Sequence, residues 1–141
     1  MAHAVKPTPA PNVRPQIGHS IRMIVIRDEW VGPDGKYHLG HPEILINPVL
    51  SNPYKEKEIM PEGCLSIPGL HVEVERPLGI HVKYQTVEGK FVEENIPGFR
   101  SRVVMHENDH LNGVLTIDRA APAARKKMEP ILRAIKKKYN P

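Results

Sequence analysis

His106-Glu107-Asn108-Asp109-His110 is an H-E-x-x-H run, a spacing that becomes useful chemistry only in one conformation. An α-helix turns once in about 3.6 residues, so histidines four apart project from the same face and can hold one metal ion. Glu107 stands beside them, where a carboxylate can take a proton from a water molecule held by that ion. A catalytic site of this kind uses three protein ligands and keeps a further position open. The spacing H-E-x-x-H-x-x-G-x-x-H would supply the third from the same segment, but position 116 is Thr116. Two candidates are left. Glu129 lies 19 residues beyond His110, and with His106 and His110 it would make a zinc endopeptidase; its plainer role is a salt-bridge partner in a lysine-rich stretch. Cys64, the only cysteine of 141 residues, cannot form an intrachain disulfide and is either a small buried hydrophobe or a thiolate ligand. Gly63 before it permits close backbone approach, and Pro61, Pro68 and Gly69 flank it with turn chemistry.

Glu62-Gly63-Cys64-Leu65-Ser66 followed by His106-Glu107-Asn108-Asp109-His110-Leu111-Asn112-Gly113 resembles the second and third signature motifs of the peptide deformylases, E-G-C-L-S and H-E-x-D-H-L-x-G. Both motifs match in full and in the right order, with 41 residues between Cys64 and His106. Ser66-Ile67-Pro68-Gly69, the Val-x-Arg-Pro at Val74 to Pro77 and the Gly98-Phe99 pair are also similar, so the likeness covers about Pro15 to Arg119. It implies an enzyme that removes the N-formyl group from the initiating methionine of new polypeptides, with Cys64, His106 and His110 as metal ligands and Glu107 as the proton carrier. It further implies an oxyanion held by the Leu65 backbone N–H and the Gln16 side-chain amide. The implied ion is Fe²⁺, with nickel, cobalt or zinc able to replace it, since a Cys-His-His set suits several of these. Gly63, Phe99 and Val103 are the candidate substrate contacts, because the helix face carrying Val103 one turn from Glu107 is the one such enzymes turn toward the methionine side chain.

The chain departs from the family at its first motif, G-x-G-L-A-A-x-Q. Pro15-Gln16-Ile17-Gly18 resembles its end, but Pro9 and Pro11 stand for both glycines and Asn12-Val13-Arg14 for the apolar stretch. Proline fixes φ and lacks the N–H, so it cannot bring backbone to a bound peptide as glycine does. Metal binding is expected to survive this change better than substrate affinity. A metal-binding but inactive deformylase-like protein is therefore a third reading.

The elements that must position these residues are short. Four prolines in the first fifteen residues predict an irregular arm over 1–15. Arg22 to Ile26 and Glu43 to Asn47 read as strands, His71 to Arg76 alternates as a half-exposed strand, and Gly79 to Tyr84 turns at Glu88-Gly89 into Phe91 to Ile96. His81 alternates with apolar neighbours and is expected to face solvent. Pro97-Gly98 opens the metal helix and Gly113 closes it; Arg102, beside Val103, points elsewhere as a solvated charge or peptide contact. Val114 to Ile117 is β-prone, and a last helix runs from about Pro122 to Lys138 around Pro130. Runs of strands followed by helices indicate an α+β fold, short antiparallel sheets around a central helix carrying the histidines. The expected layout is the arm, a catalytic body over 16–120 and a C-terminal helix over 121–141. Glu62 and Arg76 are positioned for an ion pair that would brace the cysteine turn.

Charge divides sharply. Seven of the 20 basic residues and one of the 16 acids lie in 121–141, so that segment carries +6 and residues 1–120 carry −2. Such a helix is either a solvated face or a contact to ribosomal RNA, where a deformylase meets its substrate; deleting 123–141 is expected to reduce ribosome association and spare activity on short peptides. A lone cysteine, no secretory signal and no long apolar run suggest a reducing compartment, most simply a cytoplasm, and no membrane contact.

Overall fold

A computed structural model describes the backbone of residues 2–5, 21–63 and 69–139. In chain order the elements are β1 (Ala2–Val5), β2 (Met23–Val31), β3 (Tyr37–Leu39), β4 (Glu43–Ser51), β5 (Lys57–Gly63), β6 (His71–Pro77), β7 (Gly79–Gln85), β8 (Phe91–Pro97), α1 (Gly98–Leu111), a 3₁₀ turn (Thr116–Arg119) and α2 (Pro122–Tyr139). The fold is α+β, as the alternation of short strands and the two helical patterns predict. It is not laid out contiguously: one compact unit takes Met1–Glu56 with Pro77–Val114, and the other takes Lys57–Arg76 with Leu115–Pro141.

In the first unit the strands run in the order β1-β2-β4-β7-β8, with β3 pairing β2, and the pairings are antiparallel. Alternation explains the buried face. Ile24 and Ile26 of β2 and Ile80, Val82 and Tyr84 of β7 are buried, while their neighbours along the strand point the other way. Leu45 and Ile96 complete the sheet's contribution, and Val103, Val104 and Met105 of α1 join the same cluster. The helix that carries the histidines is therefore held by the core itself. β4 bulges between Ile46 and Val49, where Asn47 sits at φ 49° ahead of Pro48. At the start of α1, Arg100 reaches Glu43 of β4 and lies 3.3 Å from Glu94 of β8, which ties the helix N-terminus to two strands. Tyr84 borders this charged group; burial first, then the nearby Glu94 and Glu43 charges, raise its phenol pKa.

In the second unit β5 pairs β6, and α2 lays Met128 and Leu132 against Val72 and Val74, with Ile117 and Ala120 beside them. Val72, Val74 and Arg76 alternate with exposed His71, Glu73 and Glu75, the pattern of a strand buried on one side. Seven basic side chains of α2, from Arg125 to Lys138, are exposed. Pro130 lies inside the helix without ending it. No helix among the described residues is long and apolar enough to cross a membrane.

Four local expectations change. The irregular arm contains β1, whose Ala2 to Val5 pair with Asp28 to Val25 of β2; backbone pairing to a neighbouring strand needs no side-chain periodicity. Val114 to Ile117 is not a strand. The Asp118 carboxylate accepts from the Leu115 N–H at 2.9 Å, a local side-chain bond that favours the 3₁₀ turn over extension. His81 is not simply solvated, because Nδ1 meets Asn95 Oδ1 and Nε2 meets Glu93 Oε1, both at 2.7 Å. With an acceptor at each ring nitrogen, Asn95 foremost and then Glu93, the imidazole pKa is raised. Arg102 is 5% exposed, so it is not a solvated charge.

Candidate metal centre

α1 begins at Gly98 and ends in a Schellman cap. The Val114 N–H bonds the Asp109 carbonyl at 2.8 Å and the Gly113 N–H bonds the His110 carbonyl at 3.1 Å, with Gly113 at φ 73°. Only glycine takes that left-handed conformation without strain, which is why the helix stops where the motif's glycine stands.

Helical spacing brings His106 and His110 together as the sequence predicts. Their ring centroids lie 4.4 Å apart at 68°, edge to face. The Glu107 carboxylate is 3.7 Å from His110 Nδ1 and 4.0 Å from His106 Nε2. One ligand atom from each of the three lies within 4.8 Å of the others, and these are the residues among those described that make such a group. The donor chemistry fits a divalent ion of the transition series: two borderline imidazoles on one face, an adjacent carboxylate, and side chains 17%, 4% and 13% exposed for His106, Glu107 and His110. Partial exposure of the imidazoles leaves an approach for a small molecule, while Glu107 is buried beside them.

Glu129, the other candidate third ligand, has the surroundings of an ordinary surface residue. It lies on α2 with its side chain 56% exposed, 3.8 Å from Arg133 one turn on, the ordinary i,i+4 pair of a solvated helix. Cys64, Leu65 and Gln16 lie outside the described residues. Gly63 ends β5, and its carbonyl is 3.5 Å from the Thr116 hydroxyl. Of the candidate substrate contacts on α1, Phe99 is 47% exposed, whereas Val103 packs into the sheet-facing cluster. Asp109, a matched position of the H-E-x-D-H motif to which the sequence assigns no role, is buried.

Two residues before Cys64, Glu62 and Arg76 form the expected ion pair. Nε donates to Oε2 at 2.7 Å and Nη2 to Oε1 at 3.0 Å, a bidentate contact with both side chains 6% exposed. It joins the last turn-ward residues of β5 to the end of β6. A buried pair contributes little over an apolar substitute, but losing one partner strands a charge. Replacing Arg76 with Met is therefore expected to lower unfolding free energy by about 3–5 kcal/mol. The double replacement Glu62→Met with Arg76→Met should recover much of that in a denaturant titration. Equal losses for the single and double variants would contradict the pairing account.

Comparison with known proteins agrees with this geometry. The family model of polypeptide deformylase matches residues 14–126. The peptide deformylase of Thermotoga maritima is 44% identical over 127 residues, which cover 87% of this chain and 71% of that protein. Among solved structures, the Arabidopsis thaliana peptide deformylase 1B bound to an inhibitor aligns with TM-score 0.69 and 30% identity over 89% of this chain and 66% of its own. The Plasmodium falciparum peptide deformylase bound to an inhibitor aligns with TM-score 0.61 and 38% identity, covering 65% of this chain and 60% of its own. This chain thus spans two thirds or less of those solved chains. A match across four fifths of the sequence, together with the helix-borne histidine pair, means that the chain belongs to the polypeptide deformylase family.

Proposed function

We propose that this protein removes the N-formyl group from the amino-terminal methionine of new polypeptides, using Cys64, His106 and His110 to hold one divalent ion, Fe²⁺ in the cell. The observation that carries the reading is the placement of a buried Glu107 between two imidazoles on α1, in a chain of the deformylase family. Bound there, the ion supplies Lewis acidity toward water and the formyl oxygen. Glu107 accepts a proton from the attacking water as its oxygen bonds to the formyl carbon. The same carboxyl then delivers that proton to the amine nitrogen as the C–N bond breaks, releasing formate and a free amino terminus. The Leu65 N–H and the Gln16 amide stabilise the oxyanion, and Gly63 and Phe99 border the methionine. Formate release from a formyl-Met dipeptide tests this directly. Release that stops with a chelator and returns with Fe²⁺ or Co²⁺ is expected; a metal-loaded chain that leaves the dipeptide intact would make it a deformylase-like binding protein instead.

The exposed cations of α2 support a second element of the proposal, a cytoplasmic enzyme that contacts ribosomal RNA. Contacts of that kind are to phosphates and depend steeply on salt. Deleting 123–141 is a poor test, because it would strip Met128 from Val72 and Val74. Replacing Lys126, Lys127, Lys136 and Lys137 with Gln keeps the apolar face. That variant is expected to lose ribosome co-sedimentation at low salt and to show a shallower salt slope, by roughly one unit per phosphate contact removed. Unchanged sedimentation would reduce the helix to a solvated face.

A further inference from the structure

We infer that Arg22 is a positioning residue for the metal ligands, acting through Asn112 at the end of α1; the inference rests on the metal-site reading above. His106 lies in the body of the helix, but His110 lies in its last turn, only two residues before the C-cap. Helix ends fray, so the His106–His110 spacing is only as good as that turn. Two devices hold it. One is the Schellman cap, which is local to the helix. The other comes from the sheet: an Arg22 guanidinium N–H donates to the Asn112 side-chain oxygen, 90 residues away in sequence.

Arg22 is itself well anchored. Its carbonyl accepts from the Asn47 N–H at 2.7 Å, and its N–H donates to Asn47 Oδ1 at 3.3 Å. Asn47 occupies the bulge of β4 at positive φ, and Met23, the residue after Arg22, enters the sheet opposite Ile46. Residue 22 therefore joins the start of β2, the bulge of β4 and the cap of the metal helix. Its cation also stands at the negative end of the helix dipole, which favours a wound last turn. Asn112 in turn donates its backbone N–H to the Asn108 and Asp109 carbonyls, so a side-chain tie at 112 steadies the turn that presents His110. Sequence alone hides this, because an arginine before a strand and an asparagine at a helix end each have commoner roles.

The protein, stripped with a chelator and reloaded with Co²⁺, tests the tie by affinity and by the visible absorption of the bound ion. Arg22→Ala and Asn112→Ala are each expected to weaken Co²⁺ binding about tenfold, the lower end of what outer-sphere partners of metal ligands contribute. Because the two act as one contact, the double variant should lose no more than either single one. Asn112→Asp keeps an acceptor for Arg22 and should bind as wild type does, so the tie can be judged even if an alanine variant folds poorly. Amide exchange at 108–113 should accelerate in the alanine variants. Wild-type affinity in folded Arg22→Ala, or losses that add in the double variant, would overturn the inference while leaving the metal site intact. Co²⁺ uptake that survives His106→Ala would instead overturn the metal-site reading, and the positioning role with it.

Discussion

Glu107→Gln is expected to abolish deformylation while the protein keeps one ion per chain. The amide has nearly the carboxylate's shape and should fill the same buried space, but it cannot accept the proton of the attacking water. Removing a positioned acid–base group typically costs 10²- to 10⁴-fold, and here one group both takes and returns the proton, so a loss near the upper end, about 5 kcal/mol in activation free energy, is expected. The division of roles is what the paired measurement checks. Loss of activity with full metal content supports a proton carrier beside the ion. Loss of the ion as well would mean that Glu107, whose oxygens lie 3.7–4.0 Å from the imidazole nitrogens, is a ligand.

Cys64→Ser should empty the site. A thiolate is the charged, soft member of the proposed ligand set, and serine offers a hydroxyl that is not ionised at neutral pH. The expected fall in affinity exceeds the roughly 100-fold attributed to losing an outer-sphere partner. Glu129→Ala is the matched control and should leave metal content unchanged, as befits an exposed residue paired with Arg133. The reverse pattern would favour the endopeptidase reading. If the ion is Fe²⁺ held by a thiolate, anaerobically prepared protein should also lose activity in air, and activity that persists would point to another ion.

Much of the helix-borne half of the site was legible in the residues. Periodicity alone places His106, Glu107 and His110 on one face, because the i, i+4 relation belongs to the helix and needs no other element. Gly113 marks the helix end for an equally local reason, its left-handed φ. The alternation of β6 and β7 identifies their buried sides, since a strand with one covered face repeats every two residues. Glu62 and Arg76 could be paired because one adjoins the cysteine turn and the other stands near the end of the next strand. These features depend on backbone conformations that a few neighbouring residues decide.

What only the tertiary structure decided depends on partners distant in sequence. β1 forms because β2 offers a free edge, and the Ala2 to Val5 residues carry no pattern that shows it. Arg102 and Asp109 are buried although charge predicts exposure, His81 is bracketed by Asn95 and Glu93 of the neighbouring strand, and Val103 serves the core. The C-terminal helix is not an appendage, because Met128 and Leu132 fill the space over β6. By itself the sequence determined the metal-binding face, the helix that carries it and the family to which both belong. Packing determined which charged and apolar side chains support that face, because burial and long-range hydrogen bonds are properties of the assembled chain and not of any segment within it.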